Sequence, residues 1–431
     1  MVTAAASGET SKPSRTLFGH PAGLTVLFTT QMWAEFSFFG LQAMLVYYMT
    51  KQLGFSQSKS SLIYGAYGAA AFFSPFFGGL IADRWLGRTA SVIIGGAMMM
   101  LGHFAMAFEA LLFPALVLVA LGNGLFIPPL AIQVGSLYAD DDPRKAYAYS
   151  AYYMGINLGG FLAPLVCGTL GELYGWHWGF TAAGVGMAIG LIIYCSFLRL
   201  LPPEPNRTLL AAEAQPDAAP AIRKHVTILL LMIAMIVLFR IGYEQSGNVI
   251  ALWVSDFTDR SVPLFGSSLT IPATWFQSIN PLLIIAGTPL LIRYWKATGA
   301  KEATPDLLKR MAIGCVIAAA AMLTMVFAAL ASGPHGARVS SLWVFVYFFL
   351  LTAGELFVIP VGLTLVESLA PVRFASMAMG GWYIAKFLGS LLAGFMGAYW
   401  LVIPPWAFFA LGMSSTLVAA LCLYTMARVL R

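Results

Sequence analysis

Charge is what this chain has least of. Only 10% of its 431 residues are Asp, Glu, Lys or Arg, where a soluble domain carries about 25%. With 59% hydrophobic residues beside that scarcity, a soluble fold is excluded and the chain reads as an integral membrane protein. Cysteine is also sparse. Cys167, Cys195, Cys315 and Cys422 all lie within apolar runs, with neither ligand spacing nor a disulfide framework, and are expected to be small buried packing residues. No clustered metal ligands, nucleophile–base pair or phosphate-cradling loop stands anywhere, so no metal, no cofactor and no enzyme are expected. The net charge of +6 is spread over helix ends rather than gathered in one patch, which argues against a nucleic-acid partner. The polar start of the chain lacks the short apolar core and cleavage site of a signal peptide, so the first long apolar run reads as a true span.

What the chain does have is twelve apolar runs, each long enough to cross a bilayer at 1.5 Å rise per residue. They fall near 22–50, 60–83, 89–108, 112–138, 146–170, 177–198, 226–254, 273–295, 308–331, 341–369, 374–399 and 404–427. The one break in composition is the Pro-, Ala- and acid-rich segment 199–225, which reads as a linker. The expected organisation is therefore a cytoplasmic tail 1–21, a six-helix bundle 22–198, a cytoplasmic linker 199–225 and a second six-helix bundle 226–431. With the N-terminus on the cytoplasmic side, 18 of the 24 Lys and Arg fall on cytoplasmic segments and four (Lys51, Lys59, Arg260, Arg338) on outer ones. The positive-inside rule then places both termini in the cytoplasm; the expected location is a bacterial inner membrane.

The remaining two cations, Arg240 and Lys386, lie inside spans. A charged side chain in hydrocarbon costs about 2.5 kcal/mol or much more, so it must face protein, water or a partner. Arg240 and Glu244 are four residues apart on one helical face and can neutralise each other while pointing inward. Glu35 and Glu355 are likewise deep in apolar spans. His103 reads as a buried packing residue, and Glu109 and Glu172 as solvated carboxylates near the outer helix ends.

Between spans 2 and 3 stands GGLIADRWLGR, Gly78 to Arg88. It resembles the major facilitator signature G-x-L-x-D-R-x-G-R, and it makes Asp83, Arg84 and Arg88 candidates for a gate cluster that breaks when two halves rock. Six spans plus six around a basic loop fit the same layout. A narrower resemblance covers nearly the whole chain. LFGHPAGLTVLFTTQMWAEFSFFG, YYMGINLGGF, the Glu244–Gln245 pair, WFQSINPLLII and the run from Gly354 through GELFVIPVGL to Trp382 are similar, in order, to motifs of the proton-dependent oligopeptide transporters. The resemblance implies an all-α membrane protein with the twelve-helix major facilitator fold, its two six-helix halves enclosing a central cavity. It places Tyr67, Asn157, Glu244, Asn280, Glu355 and Trp382 in that cavity. A zwitterionic ligand would need such residue types: a carboxylate for its ammonium, cations for its carboxylate, amides for its peptide bond.

The departures are as informative. The family's first-span E-x-x-E-R-F cluster, tied to proton coupling and to the peptide carboxylate, reads here Gln31-Met-Trp-Ala34-Glu35-Phe36. The lysine of the fourth span is Ile127, a later arginine is Gln42, and the tyrosine pair is Phe38 and Phe39. The two helices that many bacterial members insert between the halves are absent. In their turn, Arg240 and Lys386 stand where the family has a tryptophan and a small residue. The resemblance thus implies a monomeric secondary transporter importing small peptides or peptide-like, carboxylate-bearing compounds, with Arg240 and Lys386 joining the binding site. A proton would be carried at Glu244, Glu35 or Glu355. A carrier of siderophores or other conjugates, an efflux carrier and an uncoupled facilitator or sensor are the alternatives.

Overall fold

The computed structural model describes residues 16–17, 19–139, 142–204, 219–264, 267–299, 303–369 and 375–430. Most of the expected tail and the centre of the linker lie outside the described residues, and with them Lys12, Arg15, Arg207, Lys301, Arg373, Arg431 and the side chains of Arg223 and Lys224.

In lipid every backbone N–H and C=O must be satisfied within the segment, so an apolar run of this length becomes a helix. Twelve long helices form in the expected places. The first six are α1 Ala22–Tyr47, α2 Gln57–Ile81, α3 Arg88–Ala105, α4 Leu112–Gly135, α5 Arg144–Ala163 and α6 Trp176–Ser196. The second six are α7 Ala219–Tyr243, α8 Ile279–Ala297, α9 Thr304–Ser332, α10 Leu342–Leu369, α11 Ala375–Gly397 and α12 Pro405–Val429. Among the described residues, nine helical segments are long and apolar enough to cross a membrane. Two spans are interrupted and resumed. A wide turn beginning at Pro164, which has no N–H to donate, separates α5 from the short helix Thr169–Tyr174. A tight turn over Glu244–Gly247 separates α7 from Val249–Phe257.

Packing follows the two groups of six. α1 lies against α5 and α6, α2 against α4, and α3 against α4 and α6; α9 lies against α10 and α12, α7 against α11 and α12, and α8 against α10. The tightest crossings use glycine. A Cβ on Gly95 of α3 would stand 2.6 Å from the Gly122 carbonyl of α4, and one on Gly354 of α10 equally close to the Gly314 carbonyl of α9. The α3–α4 contact of the first half and the α9–α10 contact of the second are thus built alike, as expected of a repeated six-helix unit. Cys167 and Cys315 are buried as expected. Cys195 is exposed and Cys422 partly so, because they fall on the outward faces of α6 and α12.

The halves meet along two seams, α2 with α11 and α5 with α8. On the first, a Cβ on Gly65 would lie 2.6 Å from the Gly394 Cα. Polar contacts close the bundle at the end away from the termini. Tyr47 donates to the Ala251 carbonyl at 2.7 Å, Ser61 to Asn248 Oδ1 at 2.9 Å, Gln57 to the Gly397 carbonyl at 2.8 Å and Ser58 to the Ala398 carbonyl at 2.6 Å. Lys51 reaches Ser255 and Asp256 beside them.

Candidate substrate cavity

Between the halves lies a cavity of about 370 Å³, lined by residues of both. On its first-half wall, Gln31 and Glu35 share one face of α1, a single turn apart. Gln31 Nε2 donates to Glu35 Oε1 at 2.7 Å, and the Tyr152 hydroxyl of α5 donates to Gln31 Oε1 at 2.8 Å. Where the resemblance leads one to expect two carboxylates and an arginine, there is a chain of Tyr152, Gln31 and Glu35.

On the opposite wall, Glu355 of α10 is fixed from two helices. Asn280 of α8 donates to its Oε2 at 2.7 Å and Tyr243 of α7 to its Oε1 at 3.0 Å, while Asn280 also donates to Thr352 Oγ1 at 2.9 Å. Arg240 and Glu244 form a buried ion pair at the end of α7. The Arg240 guanidinium also lies over the rings of Phe72, at 5.3 Å, and Tyr243, at 5.2 Å. Lys386 of α11 is held differently. Its ammonium stands 5.0 Å from the Phe72 ring and 5.6 Å from the Tyr383 ring. Among the described residues Lys386 has no ion-pair or hydrogen-bond partner. Three carboxylates and two cations thus face one space, with a formal charge of −1. In so dry a setting each charge is retained only with a partner, whether protein, water or ligand.

Of the residues expected here, Asn157, Asn280, Arg240, Glu244, Glu355, Lys386 and Glu35 line the cavity. Asn157 spends one amide hydrogen on the Tyr153 carbonyl of its own helix, at 3.0 Å. Tyr67 and Trp382 are buried one layer back: Tyr67 stacks on Phe38, and Trp382 lies against Gly362 of α10. Their neighbours Tyr64 and Tyr383 line the space instead. Phe72, Tyr152, Tyr153 and Tyr243 are further wall residues that sequence reading missed. A signal existed for one of them, because Tyr64, Ala71, Phe72 and Pro75 recur at helical spacing on one face of α2.

At the α2–α3 turn, Asp83 is exposed and makes no ion pair with Arg88 among the described residues. Arg88 instead donates through Nη1 to Ser136 Oγ at 3.0 Å. Glu204, from the chain leaving α6, accepts from the Arg88 and Thr89 amides at 3.0 and 2.7 Å. It thereby caps α3, whose first N–H groups have no intrahelical partner. Burial raises the Glu204 carboxyl, but the N–H groups of Thr89 and Arg88 outweigh it and hold the group below the usual carboxylate range. Glu172, expected to be solvated, is also a bonded carboxylate. It accepts from the Ala273 and Thr274 amides across the α5–α8 seam.

The Major Facilitator Superfamily model matches residues 27–371. A peptide transporter of Yersinia enterocolitica is 33% identical, over 89% of this chain and 89% of its own length. A di-/tripeptide transporter of Lactococcus lactis is 32% identical, over 87% and 88%. This chain belongs to the proton-dependent oligopeptide transporter (POT) family of that superfamily. Solved POT structures superpose throughout. A mutant peptide transporter in complex with alafosfalin gives a TM-score of 0.86 at 29% identity, covering 97% of this chain and 96% of that one. A POT transporter in complex with 5-aminolevulinic acid gives 0.87 at 24% identity, which speaks for the fold alone. As a POT member the protein is a membrane transporter and not an enzyme. Both cations of its cavity, Arg240 and Lys386, come from the second half.

Proposed function

We propose that this POT member carries small peptides or peptide-like, carboxylate-bearing compounds inward by alternating access, with Lys386 and Arg240 receiving the ligand carboxylate and Glu355, braced by Asn280, receiving its ammonium. The observation that carries this reading is Lys386: an ammonium facing the cavity over the Phe72 and Tyr383 rings, with no salt bridge or hydrogen bond among the described residues. An unpaired cation in a low-dielectric space gains most from a ligand anion. A cavity of about 370 Å³, near the lower end of the ~300–1,000 Å³ of ligand pockets, suits a compact amino-acid-derived ligand better than a siderophore or other large conjugate.

Proton linkage is assigned to Glu244. Protonating it would release Arg240 to the ligand carboxylate, and deprotonation would recapture the guanidinium and free the ligand. Glu35, hydrogen-bonded to Gln31, is the next candidate, and Glu355 the third. The halves 22–198 and 226–427 would rock about their seams, with Asp83, Arg84 and Arg88 at the hinge-side turn and both termini in the cytoplasm of a bacterial cell. The charge bias among the loops supports that orientation. Proteoliposomes loaded with dipeptide and assayed for counterflow, with and without an inward proton gradient, test the proposal. Exchange of labelled dipeptide that grows into uphill accumulation under the gradient is the expected result. Exchange indifferent to the gradient would make the protein an uncoupled facilitator, and no exchange with any peptide-like compound would remove the substrate reading.

A further inference from the structure

The turn that leads into α8, Ala273–Ser278, belongs to the second half by sequence, yet the first half holds nearly all of it. Its N-terminal flank is Pro272, and no side chain of its own caps it. Glu172, in the helix Thr169–Tyr174, supplies the cap from the other half: Oε2 accepts from the Ala273 amide at 2.9 Å, and Oε1 from the Thr274 amide at 2.8 Å and the Thr274 hydroxyl at 2.7 Å. Around this carboxylate the neighbouring residues of the turn follow suit. Trp275 Nε1 donates to Thr169 Oγ1 at 2.7 Å, Gln277 to the Ala43 carbonyl at 3.1 Å and Ser278 to the Phe161 carbonyl at 2.8 Å. Thr274 also presses on Gly168, where a side chain would overlap its hydroxyl. Arg260 stands 3.7 Å from Glu172 and supports its charge.

Glu172 is the only charged group that hydrogen-bonds to the turn, and hydrogen bonds to a charged acceptor are roughly twice as strong as neutral ones. The turn runs without a break into α8, whose second residue is Asn280. Asn280 in turn holds Glu355. One stiff piece of chain therefore connects the closed end of the bundle to the ligand cavity.

We propose that Glu172 is the positioning residue of the gate away from the termini: by capping the α8 turn across the two halves it keeps that gate shut and sets Asn280 against Glu355. Opening the gate breaks the cap, and the freed turn shifts Asn280 off Glu355. The inference rests on the alternating-access reading but not on any substrate, so a wrong ligand class leaves it standing.

The test is sided labelling in a background with the four native cysteines replaced. Reporter cysteines are placed at Ala43, buried among the gate contacts, and at Ala131, on the cavity wall toward the termini. A membrane-impermeant thiol reagent is added to one face at a time. Glu172→Gln places an amide group among N–H donors. It is expected to raise Ala43→Cys labelling from the far face at least about tenfold and to slow Ala131→Cys labelling from the terminus face severalfold. Thr274→Val, which removes one of the three bonds, should move both rates the same way by less. A monodisperse Glu172→Gln protein with both rates unchanged overturns the proposal. So does one in which both rates rise, since that is general loosening and not a shift between gates. If Glu172→Gln does not fold, Thr274→Val with unchanged rates overturns it equally.

Discussion

Replacing Lys386 with methionine isolates the carboxylate subsite. Methionine keeps an unbranched apolar stem against Phe72 and Tyr383 and removes only the charge. Because Lys386 makes no salt bridge or hydrogen bond among the described residues, its loss breaks no direct contact to a buried carboxylate, although Glu35, Glu244 and Glu355 share its cavity. The cost should therefore appear in ligand binding and not in folding. A hydrogen bond to a charged partner contributes about 1.5–3 kcal/mol, and 1.36 kcal/mol is a factor of ten. Lys386→Met should then weaken a dipeptide by roughly 10- to 150-fold. Arg240→Met makes the contrast: it leaves Glu244 buried and alone, at about 3–5 kcal/mol of stability. The assay is competition between a dipeptide and its C-terminal amide for binding in detergent. Wild type should discriminate between them, and Lys386→Met should discriminate less, because the lost contact exists only for the free carboxylate and Arg240 alone remains to receive it. If the variant folds and preserves the wild-type preference for the free acid, Lys386 does not hold that group.

Three further outcomes are expected. Glu244→Gln leaves Arg240 permanently free, so exchange should persist while accumulation against a gradient is lost in the counterflow assay; retained accumulation moves the proton site to Glu35. Because the Glu204 carboxyl is depressed in the folded protein, its cap on α3 is present above the ordinary glutamate range and is lost as pH falls through the lowered value. Protection of the Arg88 and Thr89 amides, taken relative to the intrinsic exchange rate at each pH, should accordingly fall in acid, and in Glu204→Gln already at neutral pH. Gly78→Ala should cost about 1–3 kcal/mol by overpacking, since its Cβ would overlap the Gly124 backbone, whereas at Gly79 the nearest atom is Pro128 Cβ at an ordinary 3.6 Å. Thermal unfolding in detergent separates the two.

The helices could be read from hydropathy because lipid permits few alternatives, and most fall within a few residues of the apolar runs; α7 is the exception, beginning at Ala219 inside the expected linker and breaking after Tyr243. The buried charges could be read for the same reason: Glu35, Arg240, Glu244, Glu355 and Lys386 are too costly to face lipid, so each had to face inward. Periodicity does not fix a helix's rotation about its axis. Trp382 and Tyr383 differ by about 100° around α11, and the resemblance pointed to Trp382, which packs behind the wall. The resemblance likewise pointed to Tyr67, where Tyr64, one turn away, lines the cavity. Glu172 and Glu204 were illegible for another reason. Each caps a helix start far away in sequence, and nothing local to 172 or 204 announces a donor at 273 or 88.

The meeting of Gly65 with Gly394 has a consequence for leakage. Backbone lies on backbone there, so no side chains interdigitate and none must change rotamer when α2 slides over α11. In the proposed rocking of the halves, that point of the seam would act as a bearing. It is also part of the wall between cavity and far solvent, and a carrier that holds ion gradients must stay watertight while it turns. A methyl group at either position would wedge the helices apart along that line. Before any change in ligand affinity, the defect to expect is passive ion conductance through a protein that still folds.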